Sequence, residues 1–123
     1  MRPAATDEAD ATAEPSARDW AAAFRGAVDA IGELGGARAG DRTMLDALVP
    51  AAAAFDRALD HDRAPASAWA AAVEAAEHGA QQTAGMTPRA GRASYLGERA
   101  IGTPDGGAVA VACWLRALLP HIR

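Results

Sequence analysis

SARDWAAAFRGAVDAIGELGG, residues 16–36, is the stretch whose reading decides the fold. Trp20, Phe24, Val28, Ile31 and Leu34 recur at steps of four, four, three and three, a spacing that lines one side of a 3.6-residue helix. Ser16 and Asp19 form a capping pair ahead of it, with Asp standing in for the usual Glu. Gly35-Gly36 then supplies the left-handed conformation with which helices end. The spacing predicts a helix over residues 17–34 with those five large residues turned to a core.

Carried outward, the same reading gives more helices and no strand. Asp41 is the expected N-cap of a second helix over residues 42–60, with Leu45, Leu48, Val49, Ala52, Phe55 and Leu59 buried and a kink at Pro50. A polar linker, residues 61–65, leads to a third helix over residues 66–83 that places Trp69, Val73, Ala76 and Ala80 on one face. Residues 85–107 hold six glycines, two prolines and Arg89, Arg92 and Arg99. So long a Gly-rich segment inside a domain reads as a functional loop, pinned by Tyr95, Leu96 and Ile101. A last helix starts at Asp105 and is ended by Pro120. Before all of this, residues 1–16 alternate Ala with acids, Thr and Pro and offer no apolar face, so they are expected to be a disordered acidic leader to a domain over residues 17–120.

Composition agrees with an all-α chain of closely packed helices. Of 123 residues 36 are Ala, against 3 Trp, 2 Phe and 3 Met, so helices can approach tightly but cannot enclose a wide core. All 12 basic residues are Arg, and the net charge of −4 lacks the basic face that binding to nucleic acid requires. A single cysteine, Cys113, excludes an internal disulfide and a thiolate zinc site, and it reads as a small core filler. The Trp residues are expected in the core, and His61, His78 and His121, scattered over separate segments, on the surface. With no secretory h-region and no apolar run long enough to span a bilayer, the expected setting is the cytoplasm, with no membrane association.

Two stretches carry residue types that bulk composition does not require. In Gly35-Gly36-Ala37-Arg38-Ala39-Gly40-Asp41-Arg42-Thr43-Met44-Leu45-Asp46, glycines lead into a helix start, where free backbone N–H groups can meet a ligand, although a plain helix–turn–helix would also use them. In Gly91-Arg92-Ala93-Ser94-Tyr95-Leu96-Gly97-Glu98-Arg99, arginine forks suited to phosphate stand between glycines, and Asp105-Gly106-Gly107 opens the last helix. No nucleophile elbow, zinc-protease helix, calcium loop or Walker loop is present.

Read together, Gly40-Asp41-Arg42-Thr43-Met44-Leu45-Asp46-Ala47-Leu48-Val49-Pro50 and Gly91-Arg92-Ala93-Ser94-Tyr95-Leu96-Gly97-Glu98-Arg99-Ala100-Ile101-Gly102 closely resemble the nucleotide-binding subunit of dihydroxyacetone kinase (DhaL). The resemblance covers residues 20–119. It implies antiparallel helices equivalent to the C-terminal half of an eight-helix barrel that holds ADP or ATP at one end with magnesium. Phosphate would pass to dihydroxyacetone held on a separate K subunit, and in some members a phosphohistidine protein recharges the bound ADP. Carried onto this sequence, Gly35 and Met44 would line the nucleotide pocket and Arg92 would meet the phosphates. Asp105-Gly106-Gly107 would close the site where the family usually has Asp-Pro-Gly.

The same resemblance exposes a departure. The family's magnesium ligands are Asp residues in a Gly-Asp-x-Asp-His neighbourhood near the start of its domain. Here the early acids, Asp7, Glu8, Asp10 and Glu14, lie in a spacer without Gly or His. The chain therefore starts, in effect, at the family's fifth helix. It is expected to bind Mg-ADP weakly or not at all by itself, to hold magnesium only if a partner supplies the ligands, and to pair with itself or with a complementary N-terminal half. The alternative is a non-catalytic interaction or regulatory module, or a remnant that keeps the helical fold without the chemistry.

Overall fold

The computed structural model describes residues 14–86 and 102–123. Four helices, with no strand among the described residues, run in the order α1 (Ala17–Gly35), α2 (Leu45–Asp60), α3 (Pro65–Gln82) and α4 (Gly106–Leu118). The fold is all-α, as the periodicity predicts.

Local signals set most of the ends. Ser16 Oγ accepts the Asp19 N–H at 3.1 Å and the Asp19 carboxylate accepts the Ser16 N–H at 2.9 Å, a complete capping box. Gly36, at φ 66°, closes α1 in the left-handed conformation. Ser16→Ala is expected to lower stability by about 1 kcal/mol in urea unfolding, the usual worth of such a cap. Asp105 caps α4 through a 3.0 Å bond from the Ala108 N–H. Pro120 lies in the 3₁₀ turn Leu119–His121 that follows α4.

The start of α2 differs from the sequence expectation. Asp41 caps no helix; its carboxylate accepts the Arg38 N–H at 3.1 Å within the preceding turn, and α2 begins at Leu45. Asp46 organises that start instead. Its buried carboxylate takes the Thr43 N–H at 2.9 Å and the Gly40 N–H at 2.6 Å, while Thr43 Oγ1 takes the Leu45 N–H at 3.1 Å. Helix α2 then runs through Pro50 without interruption.

Contacts between elements fix an antiparallel arrangement. Arg18 reaches Asp60 at 2.7 Å and Arg25 pairs with Asp56, which sets the beginning of α1 beside the end of α2. Gly79 of α3 lies against Asp46 at the start of α2, in the most extensive contact among the described helices. Trp69 near the start of α3 meets Leu115 near the end of α4. On the solvent side Arg116 binds Glu77 through two hydrogen bonds, at 2.5 and 2.8 Å, and holds that carboxyl below its ordinary value. The pair therefore adds its small contribution at neutral pH and loses it as acid protonates Glu77.

The core is built mainly from alanines: Ala47, Ala51, Ala68, Ala72, Ala76 and Ala108 are fully inaccessible, around Phe55, Trp69 and Val73. On α1 the buried residues are Ala21 and Val28, with Phe24 partly covered. The predicted stripe is thus displaced around the helix: Trp20 is 62% and Leu34 90% exposed, and Ile31 also faces outward. Val49 of α2 is exposed as well. Helix α4 buries Ala108, Ala112 and Leu115 while Val109, Trp114 and Leu118 remain outside. Cys113 is exposed, so it is not the core filler expected, and of the tryptophans only Trp69 belongs to the core. The reason is geometric. Each outer helix packs on one side only, and alanines, which allow the closest approach, take that side.

Candidate functional site

One end of the bundle gathers the α1–α2 loop, the end of α3 and the start of α4. Gly40, at φ 98°, and Arg42, at φ 62°, turn the loop back over this end. Arg42 is 3% exposed. Its Nε donates to the Thr83 carbonyl at 3.2 Å, its Nη2 donates to the Thr103 carbonyl, and its Nη1 lies 3.7 Å from Asp105 Oδ1. Thr83, fully buried in the 3₁₀ turn Thr83–Gly85, accepts the Asp105 N–H on its hydroxyl at 2.7 Å and donates that hydroxyl to the Ala80 carbonyl. Gly102 N–H donates to the Ala84 carbonyl at 2.6 Å, tying down the approach to α4.

Around this buried knot stand the residues expected at a nucleotide. Met44 is 40% exposed and abuts the first turn of α4: a Cβ on Gly107 would stand 3.7 Å from Met44 Cβ and 3.2 Å from Asp105 Oδ2. Gly106 and Gly107 are exposed, and no atom lies within 4 Å of where a Cβ on Gly106 would stand. Gly35 is exposed at the end of α1, with the same open space beside it. The structure therefore brings Met44, Asp105 and Gly107 together, leaves Gly106 and Gly35 open, and records no contact between Gly35 and the others. Arg92 lies outside the described residues.

Chemically this end offers glycine backbone at a helix N-terminus, where peptide N–H groups and the helix dipole favour an anion, beside an exposed thioether able to lie against a flat ring. That combination fits a nucleotide. Among the described residues no three carboxylate, imidazole or thiol groups come together to hold a metal ion. His61, His78 and His121 are all exposed. No helix among the described residues is long and apolar enough to cross a membrane.

Sequence reading placed Arg42 and Asp46 in a candidate stretch without a role of their own and passed over Thr83. A usable signal existed for Asp46, because Thr43-Met44-Leu45-Asp46 has the spacing of a capping box and points to a helix start after Thr43. Nothing local marks Arg42 or Thr83, whose partners lie 41 and 22 residues away.

Comparison with known proteins gives the chain's family. The chain is 43% identical over 107 residues to D-erythrulose kinase of Mycolicibacterium smegmatis, covering 87% of this chain and 18% of that enzyme. It is 40% identical over 95 residues to the ADP-binding subunit DhaL of the PEP-dependent dihydroxyacetone kinase of Escherichia coli, covering 77% of this chain and 45% of the subunit. Human triokinase/FMN cyclase is 38% identical over 107 residues, 87% of this chain and 19% of that protein. The chain thus spans less than half the length of each of these relatives. The family model of the DAK2 domain matches residues 2–120, and the chain belongs to the DAK2 domain family.

Proposed function

We propose that this chain is the part of a dihydroxyacetone-type kinase that receives the nucleotide, and that ADP or ATP binds at the Met44–Gly107 end of the bundle. The observation that carries the reading is the contact of Met44 with the first turn of α4 beside the Asp105 cap, across more than sixty residues of sequence. Gly35 and Met44 flank the base and sugar, Arg92 meets the phosphates, and Asp105, Gly106 and Gly107 close the site. Relatives named as kinases of erythrulose and dihydroxyacetone support a short ketose as the phosphate acceptor, held on a separate K component, with ATP or a phosphohistidine protein as the donor.

Magnesium, when bound, neutralises charge on the phosphates. Its carboxylate ligands we assign to polypeptide outside these 123 residues, whether joined to them or separate. Trp20, Leu34 and Trp114 offer that further polypeptide apolar side chains to pack on. The isolated chain is accordingly a weak nucleotide binder and phosphorylates no ketose.

The test is a titration of the ¹⁵N-labelled chain with ADP, with and without magnesium. The amides of Met44, Gly106 and Gly107 are expected to shift only at ADP concentrations well above micromolar. Once an Asp-bearing companion segment is supplied and affinity rises, Arg92→Ala should weaken ADP by roughly 1.5–3 kcal/mol, the worth of a charge-assisted hydrogen bond. Unmoved amides would overturn the site. A micromolar or tighter dissociation constant for the chain alone would overturn the need for a companion.

A further inference from the structure

We propose that Arg42 is a positioning residue for the nucleotide: its buried guanidinium locks the loop that carries Met44 onto the turn that carries Asp105 and Gly107. The inference rests on the functional reading above and names a residue that touches no nucleotide itself.

Three observations converge on it. First, among the described residues the guanidinium reaches three separate positions, the Thr83 carbonyl at the end of α3, the Thr103 carbonyl before α4, and the Asp105 carboxylate at the α4 cap. A planar fork serves several acceptors at once in fixed directions, which a lysine ammonium on its flexible stem does not. Second, Arg42 holds φ at 62°. A non-glycine residue resists that conformation by about 1 kcal/mol or more, a cost that the bonds of the inward-turned side chain offset together with those of Asp46 to the Gly40 and Thr43 N–H groups. Third, the arrangement answers an electrostatic difficulty. Asp105 places a carboxylate, its side chain 13% exposed, at the helix end offered to phosphate. Left alone it would repel an anion; the buried cation behind it cancels that charge while Oδ2 continues to cap the Ala108 N–H.

A buried charge is weak evidence for stability, since apolar residues of similar volume often replace buried ion pairs without loss. What an apolar residue could not do is fix the direction of three polar groups around one point. Arg42 therefore sets the spacing between Met44 and the first turn of α4, the two walls between which the nucleotide lies.

The test combines the ADP titration with amide hydrogen exchange on the same labelled chain. Arg42→Lys keeps the charge and removes the fork. It is expected to weaken ADP about tenfold and to speed exchange at the Asp105 and Ala108 amides, while exchange in the middle of α2 and α3 stays unchanged. Thr83→Val, which removes only the hydroxyl that receives the Asp105 N–H, should act in the same direction with a smaller effect, and it decides the matter if Arg42→Lys fails to fold. Faster exchange with unaltered affinity would reduce Arg42 to a structural role and overturn the proposal. Weaker affinity with unaltered exchange would make Arg42 a direct contact and also overturn it, as would no change in either. If ADP moves no amide of the unsubstituted chain, the functional reading falls and this inference with it.

Discussion

Gly79→Ala is expected to destabilise the protein by about 3 kcal/mol, against the ordinary preference of a helix for alanine. Two effects oppose one another. Replacing glycine by alanine inside a helix gains about 1 kcal/mol from backbone entropy and propensity. At Gly79, however, the new Cβ would stand 2.0 Å from the Asp46 carbonyl oxygen and 3.1 Å from Pro50 Cγ. The oxygen belongs to backbone and cannot swing aside, so α2 and α3 must separate along their most extensive contact. Pro50 is part of the same design: having no N–H to give the carbonyl four residues back, it leaves the Asp46 oxygen turned towards α3. Gly26 is the control. It lies inside α1 with nothing within 4 Å of its would-be Cβ, so Gly26→Ala should stabilise by about 0.5–1 kcal/mol. Urea midpoints that move in opposite directions for the two variants confirm the account, and equal stabilisation would refute it.

Trp69→Ala should cost roughly 3–5 kcal/mol, the range for truncating a buried large aromatic. A small domain holds about 5–15 kcal/mol in total, so the variant should lose a large share of its stability and unfold at a much lower urea midpoint. Trp69 is where the other three helices meet α3. Its ring lies 5.6 Å from that of Phe24 in α1 and 5.3 Å from Phe55 in α2, the latter edge-to-face at 88°. Its Nε1 donates to the Leu115 carbonyl of α4 at 2.9 Å. That bond has a definite reason: α4 tightens at its end, the Leu119 N–H turning to Arg116, and the Leu115 oxygen takes its proton from the indole. Trp69→Phe keeps most of the packing and orphans that oxygen, so it should cost about 1–3 kcal/mol. A loss as large as that of Trp69→Ala would show that the hydrogen bond outweighs the packing.

The candidate site was legible in part. Met44, Asp105, Gly106 and Gly107 stand in motifs whose likeness to a known family can be read from residues alone, and the structure gathers Met44 with the turn at Asp105. What joins them could not be read. Arg42 looks in sequence like a first helical residue, and only its bonds to Thr83, Thr103 and Asp105 show it turned inward.

By itself the sequence determined that the chain is helical and where most helices end, because those signals act over three or four residues: the Ser16–Asp19 capping box, the left-handed Gly36, the Asp105 cap. Tertiary structure decided which side of each helix is covered. Trp20 and Phe24 lie on one local stripe, yet only Phe24 reaches Trp69, since the position of a neighbouring helix is not written in the period of the first. It also decided that Gly79 is indispensable and Gly26 is not. Both are single glycines inside helices, and the difference between them is a carbonyl oxygen brought close by a fold that no local pattern specifies.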